Sequence, residues 1–132
     1  MDYTMATKFS AIKLSELNLG IGPFVVGPAV QRKIGASGMS QIAIDANSFY
    51  SPEWARDKGL FTKVFETTEA LDEEVQALAE QLCGYNPEAV KEMKQMFWRG
   101  TEDWDELLKE RAKISGRLVL SSFTKEKLKR FK

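Results

Sequence analysis

Asp2-Tyr3-Thr4-Met5-Ala6-Thr7-Lys8-Phe9-Ser10-Ala11-Ile12-Lys13-Leu14-Ser15-Glu16-Leu17-Asn18-Leu19-Gly20 opens the chain and differs in character from the remainder of the sequence. Apolar, β-branched and aromatic residues come here in short runs with brief polar interruptions. That pattern predicts two short strands, about Asp2–Ala6 and Lys8–Ile12, and then a loop from Leu14 to Gly22. Near residue 24 the signals turn helical. Gly22-Pro23 and Gly27-Pro28 lead into a helix through Val30–Ile34 that Gly35 stops, and Ser37 is placed to cap a second helix to about Asp45. Ser51-Pro52-Glu53 carries a capping hydroxyl, a proline at the first helical position and an early acid, the marks of a helix start. Gly59 ends that helix, and Leu60–Phe65 alternates like a short strand.

The second half is more regular. Leu71, Val75, Leu78 and Leu82 fall on one helical face. Asn86-Pro87-Glu88 starts another helix, with Val90, Met93 and Phe97 on its apolar side. After Gly100, Thr101 is placed to cap a helix whose first turn holds Glu102 and Asp103, matched to the macrodipole. Trp104, Leu107, Leu108, Ala112 and Leu118 form its stripe, and Ser122 or Thr124 begins a basic segment, Lys125–Lys132. Trp54, Phe97, Trp98 and Trp104 read as core or subunit interface, and Cys83 as a structural residue. Two or three short strands do not make a stable sheet by themselves, so the strand near Asp2 expects neighbours.

Composition removes whole chemistries. The 132 residues suit one domain, and 43% hydrophobic with 29% charged residues is ordinary for a globular protein. Nineteen Lys+Arg balance nineteen Asp+Glu, so no global field recruits nucleic acid or an anionic membrane. The absence of His excludes Ser-His-Asp hydrolysis, His-ligated zinc and imidazole proton shuttling. A single Cys excludes an internal disulfide and a thiolate metal cage, and fits a cytoplasmic location. No apolar run approaches the roughly 18 residues of a membrane span. Any catalysis falls to carboxylates, amides and backbone donors.

The opening stretch resembles the middle of the crotonase family, the enoyl-CoA hydratases and isomerases. Three later segments keep the family's order. Gly22-Pro23-Phe24 through Gln31-Arg32-Lys33-Ile34-Gly35 is similar to its Pro- and Gly-containing loop and helix. Ser51-Pro52-Glu53-Trp54-Ala55-Arg56-Asp57-Lys58-Gly59-Leu60-Phe61 is similar to its short helix ending in Gly-Leu-Val. Phe123-Thr124-Lys125-Glu126-Lys127-Leu128-Lys129-Arg130-Phe131 is similar to its basic tail. The resemblance implies an α/β crotonase fold of which this chain is the C-terminal half, with short strands followed by a mainly helical region. Residues 1–66 would belong to the core and residues 67–132 to a helical region for trimerisation and the CoA tail.

The family's activity implies a 2-enoyl-CoA thioester as substrate, with no metal and no redox cofactor. It also implies a homo-oligomer, trimer or hexamer, and neither nucleic acid nor membrane as a partner. Glu16 stands where hydratases keep the general acid/base for the substrate's α-carbon, a role that suits a carboxylate because burial brings such groups toward neutrality. Gly20, Gly22, Pro23 and Phe24 would shape the acyl pocket, although turn punctuation for the first three and core filling for Phe24 are the readier explanations. Phe123, Lys125 and Lys127 would lie near the adenine and phosphates of CoA, against the alternative of a solvated amphipathic helix. The family's Lys three residues after that Phe is Glu126 here, which shifts the role to its neighbours. Both oxyanion-hole donors and a second carboxylate would precede Met1, so a fragment inactive alone is expected. An isomerase of the same family, or a non-catalytic helical interaction module, are the alternative readings.

Overall fold

A computed structural model describes residues 2–130. Met1 lies outside the described residues, as do Phe131 and Lys132 at the end of the basic segment. Two strands, β1 (Met5–Thr7) and β2 (Lys63–Phe65), pair in parallel with Ala6 opposite Val64. Between them run a 3₁₀ turn (Glu16–Leu19), α1 (Gly27–Ile44) and α2 (Pro52–Asp57). After β2 come α3 (Thr68–Cys83), α4 (Pro87–Phe97), α5 (Trp104–Val119) and α6 (Ser122–Lys129).

The expected strand at Lys8–Ile12 does not form. Thr7 is the last residue of β1, the amide of Lys8 still reaches Phe65 O at 2.9 Å, and the chain then turns through Ser10. Ile12 keeps a single antiparallel bridge to Tyr50. The strand expected at Asp2–Ala6 is realised one residue further on, at Met5–Thr7, and the one at Leu60–Phe65 shrinks to Lys63–Phe65, the three residues of each that pair in register. Strand pairing here spans 58 positions of sequence, which local alternation cannot encode.

Gly35 breaks the helical path as its sequence implies, with φ 71° and ψ 172°, but no loop comes after it. α1 is thus two helical segments that meet at a sharp kink at Gly35, the second running to Ile44, as the sequence leads one to expect. Helix starts with strong local chemistry are realised. Ser51 Oγ accepts from Trp54 N–H at 3.2 Å, and Asn86 Oδ1 accepts from the amides of Glu88 and Ala89. Thr101 does not cap α5: its hydroxyl donates back to Trp98 O at 2.7 Å, and Asp103 holds the N-cap position. The last helix begins at Ser122, one of the two expected starts, and is capped by Ser121 Oγ on the amide of Thr124. We expect Ser51→Ala to cost about 1 kcal/mol, seen as a lower denaturant midpoint at unchanged slope, because one orphan donor of α2 loses its acceptor.

The core is small and lies in the first half: Ala6, Ile34, Ile42, Ala46 and Ala55 are buried, with Ile42 and Ala55 fully so. Ile42→Val removes one methylene from this packing and is expected to cost about 0.5–1.5 kcal/mol in the same titration. By contrast, α3, α4 and α5 contain no buried residue among those described. Their apolar stripes stand open, with Val75, Leu82, Met93, Met96 and Phe97 all exposed. Val25 and Val26 ahead of α1 are exposed too, and Cys83 is an exposed free thiol at the end of α3.

Candidate active site

The candidate carboxylate sits on the 3₁₀ turn. Three hydrogen bonds hold that turn: Gly20 N–H to Leu17 O, Ile21 N–H to Glu16 O and Asn18 N–H to Ser15 O. Asn18 ties it outward, its Nδ2 donating to Ala46 O at 2.7 Å and to Asn47 Oδ1 at 2.9 Å. The turn is thus anchored to the segment just after α1, where Ala46 is buried. Glu16, its first residue, is half-buried, and its Oε2 is closed to solvent with no hydrogen-bond partner.

Gly20 ends the turn at φ 78°, a left-handed conformation that a side chain disfavours. It also faces α6 at close range: a Cβ there would overlap Phe123 Cδ1 and stand 2.8 Å from Thr124 Oγ1. The structure therefore brings Gly20 and Phe123, which lie at opposite ends of the sequence, into one place. Gly22 is buried beneath the ring of Phe24, which folds back over it, with the Phe24 amide donating to Gly22 O at 2.7 Å. Pro23 O accepts from the Gly27 amide at 2.8 Å and so joins this loop to α1.

At α6, Lys127 Nζ lies 5.6 Å from the centre of the Phe123 ring. Phe123, Glu126, Lys127 and Arg130 line a shallow hollow of about 100 Å³. Lys125 is exposed and does not line it. Sequence reasoning missed Arg130 in this group, although the i, i+3 spacing from Lys127 was there to find it. It also missed Thr124, the one fully buried polar side chain among the described residues, whose hydroxyl is paired with Ser121 Oγ at 3.2 Å. The signal was the Ser121-Ser122 pair ahead of a basic run, a cap that turns Thr124 inward.

A second cluster sits across α1. Arg32 Nη2 donates to the carbonyls of Phe97 and, at 2.9 Å, Arg99, which satisfies the end of α4. Glu102 stands near by, its carboxyl held below the usual carboxylate range by its own backbone N–H first and the Gly100 amide second, with Arg99 and Arg32 adding to it. Trp98 Nε1 donates to Asp2 Oδ1 at 2.7 Å, so α4 is also tied to the approach to β1.

Strand, helical crossover, parallel strand and then a helical extension define an α/β domain with a polar turn held under its last helix. The sequence model of the enoyl-CoA hydratase/isomerase family matches residues 1–131, and the chain belongs to that family. Solved structures agree on the fold. Similarity to an enoyl-CoA hydratase/isomerase from Pseudoalteromonas atlantica T6c has a TM-score of 0.88 at 22% identity, covering 98% of this chain and 52% of that one. An enoyl-CoA hydratase from Mycobacterium avium gives 0.88 at 21% identity, covering 98% and 51%. One from Bacillus halodurans gives 0.84 at 20% identity, covering 98% and 52%. The chain spans about half the length of these solved relatives, and its fold is the crotonase fold over that span. No curated protein matches it. Among the described residues no helix is long and apolar enough to cross a membrane.

Proposed function

We propose that this chain carries the proton-handling carboxylate of an enzyme that hydrates 2-enoyl-CoA thioesters. The observation that carries the reading is Glu16 Oε2, closed to solvent and without a hydrogen-bond partner, on a turn that Asn18 ties to Ala46 O and Asn47 Oδ1. A structural carboxylate is ordinarily paired or solvated, whereas one kept unpaired is available to a reacting group. In this reading the water oxygen bonds to the β-carbon, and the double-bond electrons move onto the α-carbon and thioester carbonyl. A proton then reaches the α-carbon from the acid/base Glu16, while the water's second proton leaves to a carboxylate. Oxyanion donors for the carbonyl and that second carboxylate come from outside these residues. Losing a single such donor typically costs about 10²–10³ in kcat, so the chain alone is expected to be inactive.

Gly20, Gly22, Pro23 and Phe24 form the wall nearest Glu16 in sequence, the place for the acyl group. Phe123, Lys127 and Arg130 offer a ring and two cations to the adenine and phosphates of CoA, with Lys125 as a more distant charge. CoA enters as part of the substrate, and no separate cofactor is required. Homo-oligomerisation as a trimer or hexamer is supported by the open apolar stripes of α3–α5.

The test is product analysis with protein isolated from its source cells. Incubation with a short 2-enoyl-CoA should consume the conjugated thioester absorbance and yield a 3-hydroxyacyl-CoA heavier by one water. A 3-enoyl to 2-enoyl interconversion without mass change assigns an isomerase instead. Neither reaction, with no retention on immobilised CoA, assigns a non-catalytic interaction module.

A further inference from the structure

A hollow of about 370 Å³ lies between α1 and α5, apart from the shallow one at α6. α1 contributes Pro28, Gln31 and Arg32 to its wall, and α5 contributes Trp104, Leu107 and Arg111. Gln31 and Arg32 are exposed, while Arg111 is half-buried. The whole chain has no net charge, yet this hollow holds two guanidiniums and no carboxylate lines it. α5 carries Asp105, Glu106 and Glu110, but among the described residues no acid comes within ion-pair distance of either arginine. Helical spacing explains this. The positions three and four away from Arg111 are Leu107, Leu108, Ile114 and Ser115, and those from Arg32 are Pro28, Ala29, Gly35 and Ala36. Glu102, the acid near Arg32, is turned to the Gly100 amide at 3.0 Å. Arg32 donates through Nη2 to the carbonyls of Phe97 and Arg99, which fixes its fork and leaves Nη1 and Nε without an acceptor among the described residues.

We propose that this hollow binds a small phosphate monoester whose organic part is apolar. Its chemistry is set by the wall. Two guanidinium forks, one from each helix, match a phosphate in charge and in donor geometry, and the Gln31 amide adds a neutral donor. A carboxylate would answer only one of the two cations. The Trp104 indole, Leu107 and Pro28 give the organic part an apolar surface beside the charged one, the division that ordinary ligand pockets show. Arg111 supplies the strongest reason for an anion. A half-buried cation without an acid is costly to keep, and a bound phosphate supplies the missing partner.

Binding here does not depend on the hydration reading, and it is tested without a catalytic readout. Phenyl phosphate titrated calorimetrically into the whole chain should bind one to one. It should bind at least about tenfold more tightly than inorganic phosphate, which has the charge without the ring. The same margin of at least about tenfold should separate it from benzoate, which has the ring with less charge. Arg111→Gln should weaken phenyl phosphate at least about tenfold by removing one fork. Gln31→Glu should do so by setting a carboxylate in the hollow from the other helix. Both substitutions keep good helix formers in place, so the thermal midpoint should stay nearly unchanged. If Arg111→Gln lowers it, Gln31→Glu, made at an exposed side chain, decides alone. The proposal is overturned if phenyl phosphate does not bind, if its preference over either control is less than about tenfold, or if Gln31→Glu weakens it by less than about tenfold. Self-association of the chain that either substitution abolishes would give the hollow to a second copy and overturn it as well.

Discussion

Gly20→Val is expected to lower stability by about 2–5 kcal/mol, the sum of two separable costs. A side chain at φ 78° meets the left-handed penalty of about 1–2 kcal/mol, heavier for a β-branched residue. Its Cβ would also overlap Phe123 Cδ1 and crowd Thr124 Oγ1, and overpacking of that kind costs about 1–3 kcal/mol. Thr124 is fully buried and cannot retreat without exposing the hydroxyl pair it makes with Ser121. Relief must come from α6 lifting off the 3₁₀ turn. The thermal midpoint should fall by on the order of 10 °C, and the amides of α6 should lose exchange protection before those of β1 and β2. Gly100→Ala is the control. Gly100 has φ 79° but nothing within 4 Å of its added Cβ, so it carries the conformational cost alone. Equal losses for Gly20→Ala and Gly100→Ala would mean that α6 does not press on Gly20.

What the sequence discloses and what it hides divide along the range of the interaction. Ser51, Asn86 and Gly35 act on backbone within four residues, and each does in the structure what its chemistry implies. The strand expected at Lys8–Ile12 rests on alternation without a partner. Its backbone meets Phe65 O through the Lys8 amide and Tyr50 through Ile12, without a continuous ladder, because the sheet is decided by where Lys63–Phe65 comes to lie. Thr101 fails as a cap for a local reason that spacing does not show. Gly100 adopts φ 79°, its amide donates to Glu102 Oε1 at 3.0 Å, and the helix begins two residues later than the Thr signal suggests. The site is legible in parts. Glu16, Gly20 and Phe123 can be named from segment order, but the meeting of Gly20 with Phe123 and Thr124 cannot, since α6 comes from a segment that reads as a solvated basic helix. The apolar stripes of α3–α5 are legible as stripes, and the structure leaves Val75, Leu82, Met93, Met96 and Phe97 on them exposed.

Glu16→Gln is expected to cost at least about 100-fold in kcat for 2-enoyl-CoA hydration, measured on the protein in its native assembly, with KM changed far less. The amide keeps the shape and one acceptor of the carboxylate but can neither release nor take up a proton at the α-carbon. Since Oε2 has no hydrogen-bond partner to lose, the substitution should leave the thermal midpoint nearly unchanged, which separates chemistry from folding. The anchoring through Asn18 to Ala46 and Asn47 stays in place, so the turn itself should not move. Exchange of the substrate's α-hydrogen with deuterated water gives a second readout, because it tracks the proton step whether the net reaction is hydration or isomerisation. Exchange and turnover should fall together. If turnover falls while exchange persists, the proton belongs to another group and Glu16 only shapes the site. If both survive within about threefold, a loss well short of what general acid/base catalysis contributes, Glu16 has no part in the mechanism.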